Sequence, residues 1–258
     1  MPLHSWDPER YLVYADERGR PFVELLARIG ATDPATVVDL GCGPGNMTRL
    51  LRQRWPSATI SGIDTSAEMI DAAREAAPGI EFRVEDVRGW QPDQPVDVLF
   101  SHATLQWVPG HAELLPRLVE AVTSGGWFAF GVPGNLGEPT HTIRELLNAE
   151  PAYAELTAEV DAPAALDAAT YRTLLTDLGC EVDAWSTTYL HELRGEDPVF
   201  RWISGTGARP VLLALDAVPE LRASYEAELK RRLRAAYPER DGVVLMPFRR
   251  AFVVARVP

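Results

Sequence analysis

The feature that most constrains this chain is the stretch 36–48. Val37, Val38 and Leu40 have the apolar, β-branched character of a short buried strand, with Asp39 set among them. Gly41, Gly43 and Gly45 follow at alternate positions. Glycines spaced this way let the backbone turn sharply and approach a ligand with no Cβ in between. Residues 47–55 then read as a helix whose first amides point back at the turn, with Thr48 expected to cap its start. Strand, glycine turn and helix in this order predict a βα unit of an open α/β sheet with a ligand at the turn.

The spacing narrows the ligand. It is neither the G-x-G-x-x-G of dinucleotide folds nor a P-loop, which would need G-K-[ST]. A carboxylate at Asp39 is badly placed beside a pyrophosphate and well placed beside an ammonium group. Downstream, 59–64 is a second apolar strand ending in Asp64. In α/β nucleoside sites an acid there accepts hydrogen bonds from ribose hydroxyls. Together the two acids describe a ligand with a ribose and a cationic amino-acid end but no phosphate, which is S-adenosylmethionine. The stretch resembles motif I of class I methyltransferases.

The remaining pattern extends the same architecture. Phe22, Leu25, Leu26 and Ile29 mark an amphipathic helix over 18–30, ended by Gly30. Ser66 is expected to cap a helix that turns Met69 and Ile70 toward the sheet. Strands are expected at 81–84, 95–100 and 127–132, with a helix marked by Leu114, Leu115, Leu118, Val119 and Val122 and a turn at Gly125 and Gly126. This reads as βαβαβαβαβ. Beyond it, helices are expected at 139–150, 167–178, 198–215 and 219–237, and strands at 181–190 and 248–257. The predicted fold is α/β: a doubly wound, Rossmann-like, mostly parallel seven-stranded sheet with an antiparallel closing strand and a helical cap. It is expected to be a single domain over 1–258, with cap insertions at about 136–178 and 191–246 that cover the pocket and select the substrate. In such sheets ligands sit outside the carboxyl ends of the strands. That assigns Asp39, Gly41, Gly43, Asn46, Asp64, Asp86 and Ser101 to the cofactor, Asp86 toward the adenine amine and the segment 101–107 toward the methionine end.

The net charge is −12. This argues against a nucleic-acid substrate, since phosphate binding needs a basic face. A small anionic substrate is still allowed, because it feels the local charge of a pocket. Cys42 and Cys180 lack metal-ligand spacing and suggest no disulfide framework, so no metal is expected and a cytoplasmic location is. Residues 1–9 do not read as a signal peptide, and no apolar run is long enough to span a bilayer. Trp6, Tyr11 and Tyr14 either close over the pocket as an arm or pack on the domain. Oligomeric state is not readable.

Further segments carry a closer resemblance: Trp6, Asp7 and Pro8 with Tyr11 and Asp16, Glu17 and Arg18; the run 105–111 from Leu105 to His111; Pro133, Gly134 and Asn135 with Glu138, Pro139, Thr140 and His141; the run 202–206 with Arg209 and Pro210; and Met246, Pro247, Phe248, Arg249 and Arg250. With motif I, these make the whole length resemble the trans-aconitate methyltransferases, small class I enzymes that esterify a tricarboxylate. The family commonly has Asn where this chain has His102. The resemblance implies methyl-ester formation on a small polycarboxylate.

A carboxylate acceptor is ionised at neutral pH and needs no general base. The enzyme then has to position two reactants and remove water, effects that together can supply ~7–11 kcal/mol. Arginine suits the acceptor because its fork binds carboxylates bidentately. The candidates for the acceptor are Arg209, Arg249 and Arg250 with His102, Trp107, Asn135 and Tyr11; His141 is placed near the methyl. Arg249 and Arg250 are neighbours on a strand, so at most one faces the pocket. His111 reads as surface. The alternative is a methyltransferase of the same fold acting on a phenol, an amine or a carbon nucleophile, with His102 as base.

Overall fold

The computed structural model describes residues 15–160 and 162–258, with side chains from residue 19 onward. Tyr11, Trp6 and Tyr14 lie outside the described residues.

The first part of the chain runs α1 (Ala15–Arg28), β1 (Thr36–Leu40), α2 (Thr48–Arg54), β2 (Thr59–Asp64), α3 (Ala67–Ala76), β3 (Glu81–Val84), β4 (Val96–His102), α4 (Leu115–Glu120) and β5 (Val122–Pro133). It continues through α5 (Pro139–Asn148), α6 (Ala154–Thr157), α7 (Ala168–Asp177), β6 (Glu181–Leu193), α8 (Pro198–Ser204), α9 (Arg209–Leu215), α10 (Pro219–Ala236) and β7 (Val244–Arg256). The seven strands lie in the order β3-β2-β1-β4-β5-β7-β6. β1 pairs in parallel with both β2 and β4, which makes it a central strand, and its Val37, Val38 and Leu40 are buried. β7 runs antiparallel to β5. The order reverses between β1 and β4, the place where such sheets bind ligands.

Three local expectations give way to the structure. No helix joins β3 to β4; the crossover is an irregular segment, as Pro92 and Pro95 would impose. Arg117 of α4 replaces the missing helical bonds, donating to the carbonyls of Trp90 at 2.5 Å, Val87 at 2.8 Å and Arg88 at 3.0 Å. Gly125 and Gly126 lie inside β5, which begins at Val122. The stretch 198–215 is two helices, because Gly205, Thr206 and Gly207 interrupt it.

The chain divides into two compact units. The first comprises the described residues up to Gly134 together with Ala164–Thr187 and Arg250–Pro258. Its core is built from Val38, Leu40, Leu99, Phe128, Phe130 and Val253 with Tyr171 and Leu175. The second comprises Asn135–Pro163 and Thr188–Arg249 and is largely helical. The first insertion is shorter than the expected 136–178: α7 belongs to the sheet unit, where Tyr171 and Leu175 are fully buried in the core.

Candidate active site

The glycine turn is shaped by what surrounds it. Gly41 has φ +75°, and a Cβ there would stand 2.0 Å from Thr104 Oγ1, so no other residue fits. Thr104 reaches this position because Ala103 takes φ +58° at the end of β4, its amide bonded to the Gly131 carbonyl at 2.8 Å. The Thr104 hydroxyl in turn donates to Gly41 O at 3.2 Å. Gly43 also has a positive φ, but its Cβ direction opens into free space, leaving the turn accessible from that side.

Two acids converge on the turn. Asp39 is buried at the centre of the sheet, and Thr48 Oγ1 donates to its Oδ2 at 2.7 Å. Thr48 is therefore not a helix cap; Met47 occupies that position without a side-chain bond. Burial, with the charge of Asp64 adding to it, pushes Asp39 up to about 7, against the bond from Thr48. Asp64, at the end of β2, accepts from the Gly43 amide and the Ser66 amide, each at 3.0 Å. Its pKa is raised by burial, partly offset by those amides. Among the described residues no Lys, Arg or His forms an ion pair or hydrogen bond with either acid, whose partners are the Thr48 hydroxyl and the Gly43 and Ser66 amides. Such a site suits hydroxyl and ammonium donors and repels phosphate. Ser66 caps α3, accepting from Met69 N at 3.2 Å.

The other cofactor candidates are placed differently. Asn46 is half-buried in the turn ahead of α2. Ser101 is buried and ties β4 to β1, its hydroxyl donating to Leu40 O at 2.9 Å. Asp86 lies beyond β3 and accepts from Arg88, whose Nη2 is 2.6 Å away. That hydrogen bond and charge hold Asp86 below the usual carboxylate range.

At the carboxyl end of β4, His102 packs edge-on against Phe22 at 5.7 Å. Its Nε2 is buried with no hydrogen-bond partner among the described residues. Burial and then the charge of Arg250 hold its pKa well below 6.5, so the imidazole is neutral. Arg250 is buried on β7 opposite Pro133, the last residue of β5, while its neighbour Arg249 is exposed. Trp107 closes a short 3-10 turn and is half-buried. His111 is not at the surface: the turn at Gly110 directs it inward, and its Nε2 lies 2.6 Å from the Tyr171 hydroxyl.

In the second unit, Asn135 is buried, and its Oδ1 has no hydrogen-bond partner among the described residues. Arg209 opens α9, and Arg249 lies 3.8 Å from Glu138. His141 is buried on α5, with Nδ1 accepting from Arg144 at 2.8 Å. Burial and the charge of Arg144 lower its pKa to about 3.

A family profile described as a methyltransferase domain matches residues 37–126, which span the glycine turn and both acids. A trans-aconitate 2-methyltransferase from Mycolicibacterium gilvum is 51% identical, over 98% of this chain and 99% of its own length. One from Rhodococcus jostii is 50% identical, over 98% and 99%. The chain belongs to the trans-aconitate 2-methyltransferase family. Both units share in this membership, because the matches run nearly end to end. A solved Haemonchus contortus phosphoethanolamine N-methyltransferase 2, in complex with phosphomonomethylethanolamine and S-adenosylhomocysteine, shares the fold at TM-score 0.56 and 14% identity. That match covers 93% of this chain and 52% of the other.

Sequence reasoning took in Ala103 and Thr104 only as part of the segment 101–107 and missed their part in shaping the glycine turn; it missed Arg144 altogether. Ala103 carries no sequence signal, since alanine is not a turn former. Thr104 and Arg144 act through backbone partners far along the chain, which local pattern does not reveal.

Proposed function

We propose that this protein transfers a methyl group from S-adenosylmethionine to a carboxylate oxygen of trans-aconitate, or of a closely related small polycarboxylate, forming a methyl ester. The observation that carries the reading is a separation of charge along one edge of the sheet. Among the described residues Asp39 and Asp64 have no cationic partner near the ends of β1 and β2, while a buried guanidinium, Arg250 on β7, stands beside a neutral imidazole, His102, at the end of β4. The first pair fits a ligand that is cationic and rich in hydroxyls; the second fits an anion.

S-adenosylmethionine, when bound, supplies an electrophilic methyl carbon on a sulfonium. Asp64 keeps lone pairs for the ribose hydroxyls, Asp39 balances the ammonium group, and the open side of Gly43 admits the ligand to the backbone. Gly41, Asn46, Ser101 and Asp86 complete the proposed cofactor set, Ser101 by fixing the strand ends rather than by contact. His102 and Arg250 hold the acceptor and exclude water. An ionised carboxylate needs no proton removed, so no base is assigned. The alternative with His102 as base loses ground, because burial beside Arg250 makes the imidazole a weak proton acceptor. Trp107 and Tyr11 stay in the proposal on the family resemblance. For Asn135, Arg209 and Arg249 the proposal is functional: loss of either guanidinium raises KM for the acid and leaves cofactor affinity unchanged.

Cys42 and Cys180 are free and buried, which supports a reducing, cytoplasmic setting. Among the described residues no helix is long and apolar enough to cross a membrane. The test is methyl transfer to trans-aconitate, cis-aconitate, isocitrate, a phenol and an amine, with release of methanol from the product in mild base. A base-labile product from trans-aconitate supports the reading; turnover of the phenol or amine alone refutes it.

A further inference from the structure

Helix α5 carries a buried charge that the proposed chemistry does not use. Arg144 is only 6% exposed. Its Nε donates to Thr140 O at 2.8 Å, Nη1 to the Gly207 carbonyl, and Nη2 to His141 Nδ1 at 2.8 Å. Among the described residues no carboxylate lies within ion-pair distance of it. Arginine remains charged even when burial lowers its pKa. A buried cation without a counter-ion is costly and makes a weak case as a device for stability alone.

Its partners show what it holds. The guanidinium lies against Gly207, where a Cβ would come 3.4 Å from Nη2. Gly207 sits in the turn between α8 and α9, two residues before Arg209, whose amide closes that turn on Thr206 O at 3.0 Å. The other end of α5 restrains a second arginine: Glu138, just ahead of the helix, pairs with Arg249 at 3.8 Å. The bond to His141 selects a tautomer. A neutral imidazole whose Nδ1 accepts carries its proton on Nε2, so His141 is a fixed donor at that nitrogen.

We infer that Arg144 is a positioning residue for acceptor recognition: it anchors the turn that presents Arg209 and holds His141 in a single neutral tautomer. This rests on the reading of Arg209 as a carboxylate ligand. Arg144 need not touch the acceptor, and its loss is felt in acceptor binding rather than in cofactor binding.

The experiment is a double-mutant cycle of Arg144→Met and Arg209→Met in the full chain. It measures KM and kcat for trans-aconitate, and cofactor affinity by calorimetry. Each single change is expected to raise KM by ~10- to 100-fold with kcat within ~3-fold, and the double variant to be no worse than the worse single one. Cofactor affinity is expected to stay unchanged. Arg144→Lys, which keeps a charge but loses the planar fork that reaches the Gly207 carbonyl and His141 Nδ1 together, should raise KM by ~3- to 10-fold and supplies the test if Arg144→Met does not fold. Raised KM in Arg209→Met with normal KM in Arg144→Met and Arg144→Lys overturns the inference alone. Effects that multiply in the double variant overturn it as well. Unchanged KM in Arg209→Met overturns the reading beneath it, and the inference with it.

Discussion

Asp39 makes a sharp demand on cofactor binding. The carboxyl titrates at about 7 in the free protein because it is buried and faces Asp64. A ligand ammonium group favours its ionised form, so below pH 7 binding must expel a proton. Affinity is then flat above about pH 8 and falls as pH drops, by ~30-fold at pH 5.5 if the complex holds Asp39 fully ionised. Thr48→Val removes the hydroxyl at 2.7 Å while keeping its shape. A hydrogen bond to a charged group contributes ~1.5–3 kcal/mol, which is ~1–2 pKa units. The limb should move up by that amount, and affinity at pH 7.5 should fall by ~3- to 25-fold. Calorimetry with S-adenosylhomocysteine from pH 5.5 to 9, in two buffers of different ionisation heat, counts the protons released. Constant affinity with no proton release, or an unmoved limb in Thr48→Val, would refute the placement of Asp39 against the ammonium group.

The same acid sets a stability cost. Its folded pKa of about 7 is above the ordinary 3.8, so its contribution is complete below pH 3.8 and is lost as pH rises through 7. The loss is ~4 kcal/mol. Asp39→Asn should therefore raise the Tm of the free protein at pH 8 while weakening cofactor binding; a lower Tm would contradict the cost. Asp64→Asn is expected to weaken cofactor binding by ~100-fold, because two hydrogen bonds to a charged acceptor are degraded, and equilibrium dialysis measures this. Tyr171→Phe removes the hydroxyl that bridges His111 Nε2 at 2.6 Å and the Leu166 amide at 3.1 Å. It should cost ~1–3 kcal/mol in urea unfolding with kcat unchanged. At saturating cofactor and acid, kcat should show no limb from His102 between pH 6 and 9, since its pKa lies well below 6.5; a limb near 6.5 that vanishes in His102→Gln would restore the base reading.

What could be read from the sequence follows from the range of the forces involved. β1, β2 and the turn between them were legible because strand pattern, glycine spacing and terminal acids are local and mutually reinforcing. Ser66 was found as a cap because capping depends on four consecutive residues. Thr48 was misread by the same rule: its hydroxyl is captured by Asp39, nine positions back, whose buried oxygen is the stronger acceptor. His111 was placed at the surface from the Pro109 and Gly110 beside it, but the residue that buries it, Tyr171, is sixty positions away. The missing β3–β4 helix shows the same limit, since Arg117 satisfies that segment's carbonyls from another helix. Gly125 and Gly126 mark a turn by composition, yet strand pairing on β4 carried β5 through them, with a register shift between Val96 and Val98.

The charge of the molecule poses the last question, because a chain of net charge −12 is proposed to bind a polyanion. Exposed acids act weakly at a pocket, since solvent and salt screen them within about 10 Å. Buried charges are not screened in this way. In the sheet unit the buried Asp39 and the half-buried Asp64 sit at the ends of β1 and β2, whereas Arg250 is buried on β7 opposite the end of β5. In the second unit the buried ionised group on α5 is Arg144. Recognition of the acid should therefore depend on these buried cations and little on the surface total. Replacing exposed Glu155, Glu159 and Glu239 by Gln removes three negative charges and should change KM for trans-aconitate by less than ~2-fold at 0.15 M salt. Arg250→Met removes one positive charge and should raise it by ~100-fold. If the surface variant lowered KM as strongly as Arg250→Met raised it, binding would be governed by the long-range field of the whole protein, and the local reading of the site would fail.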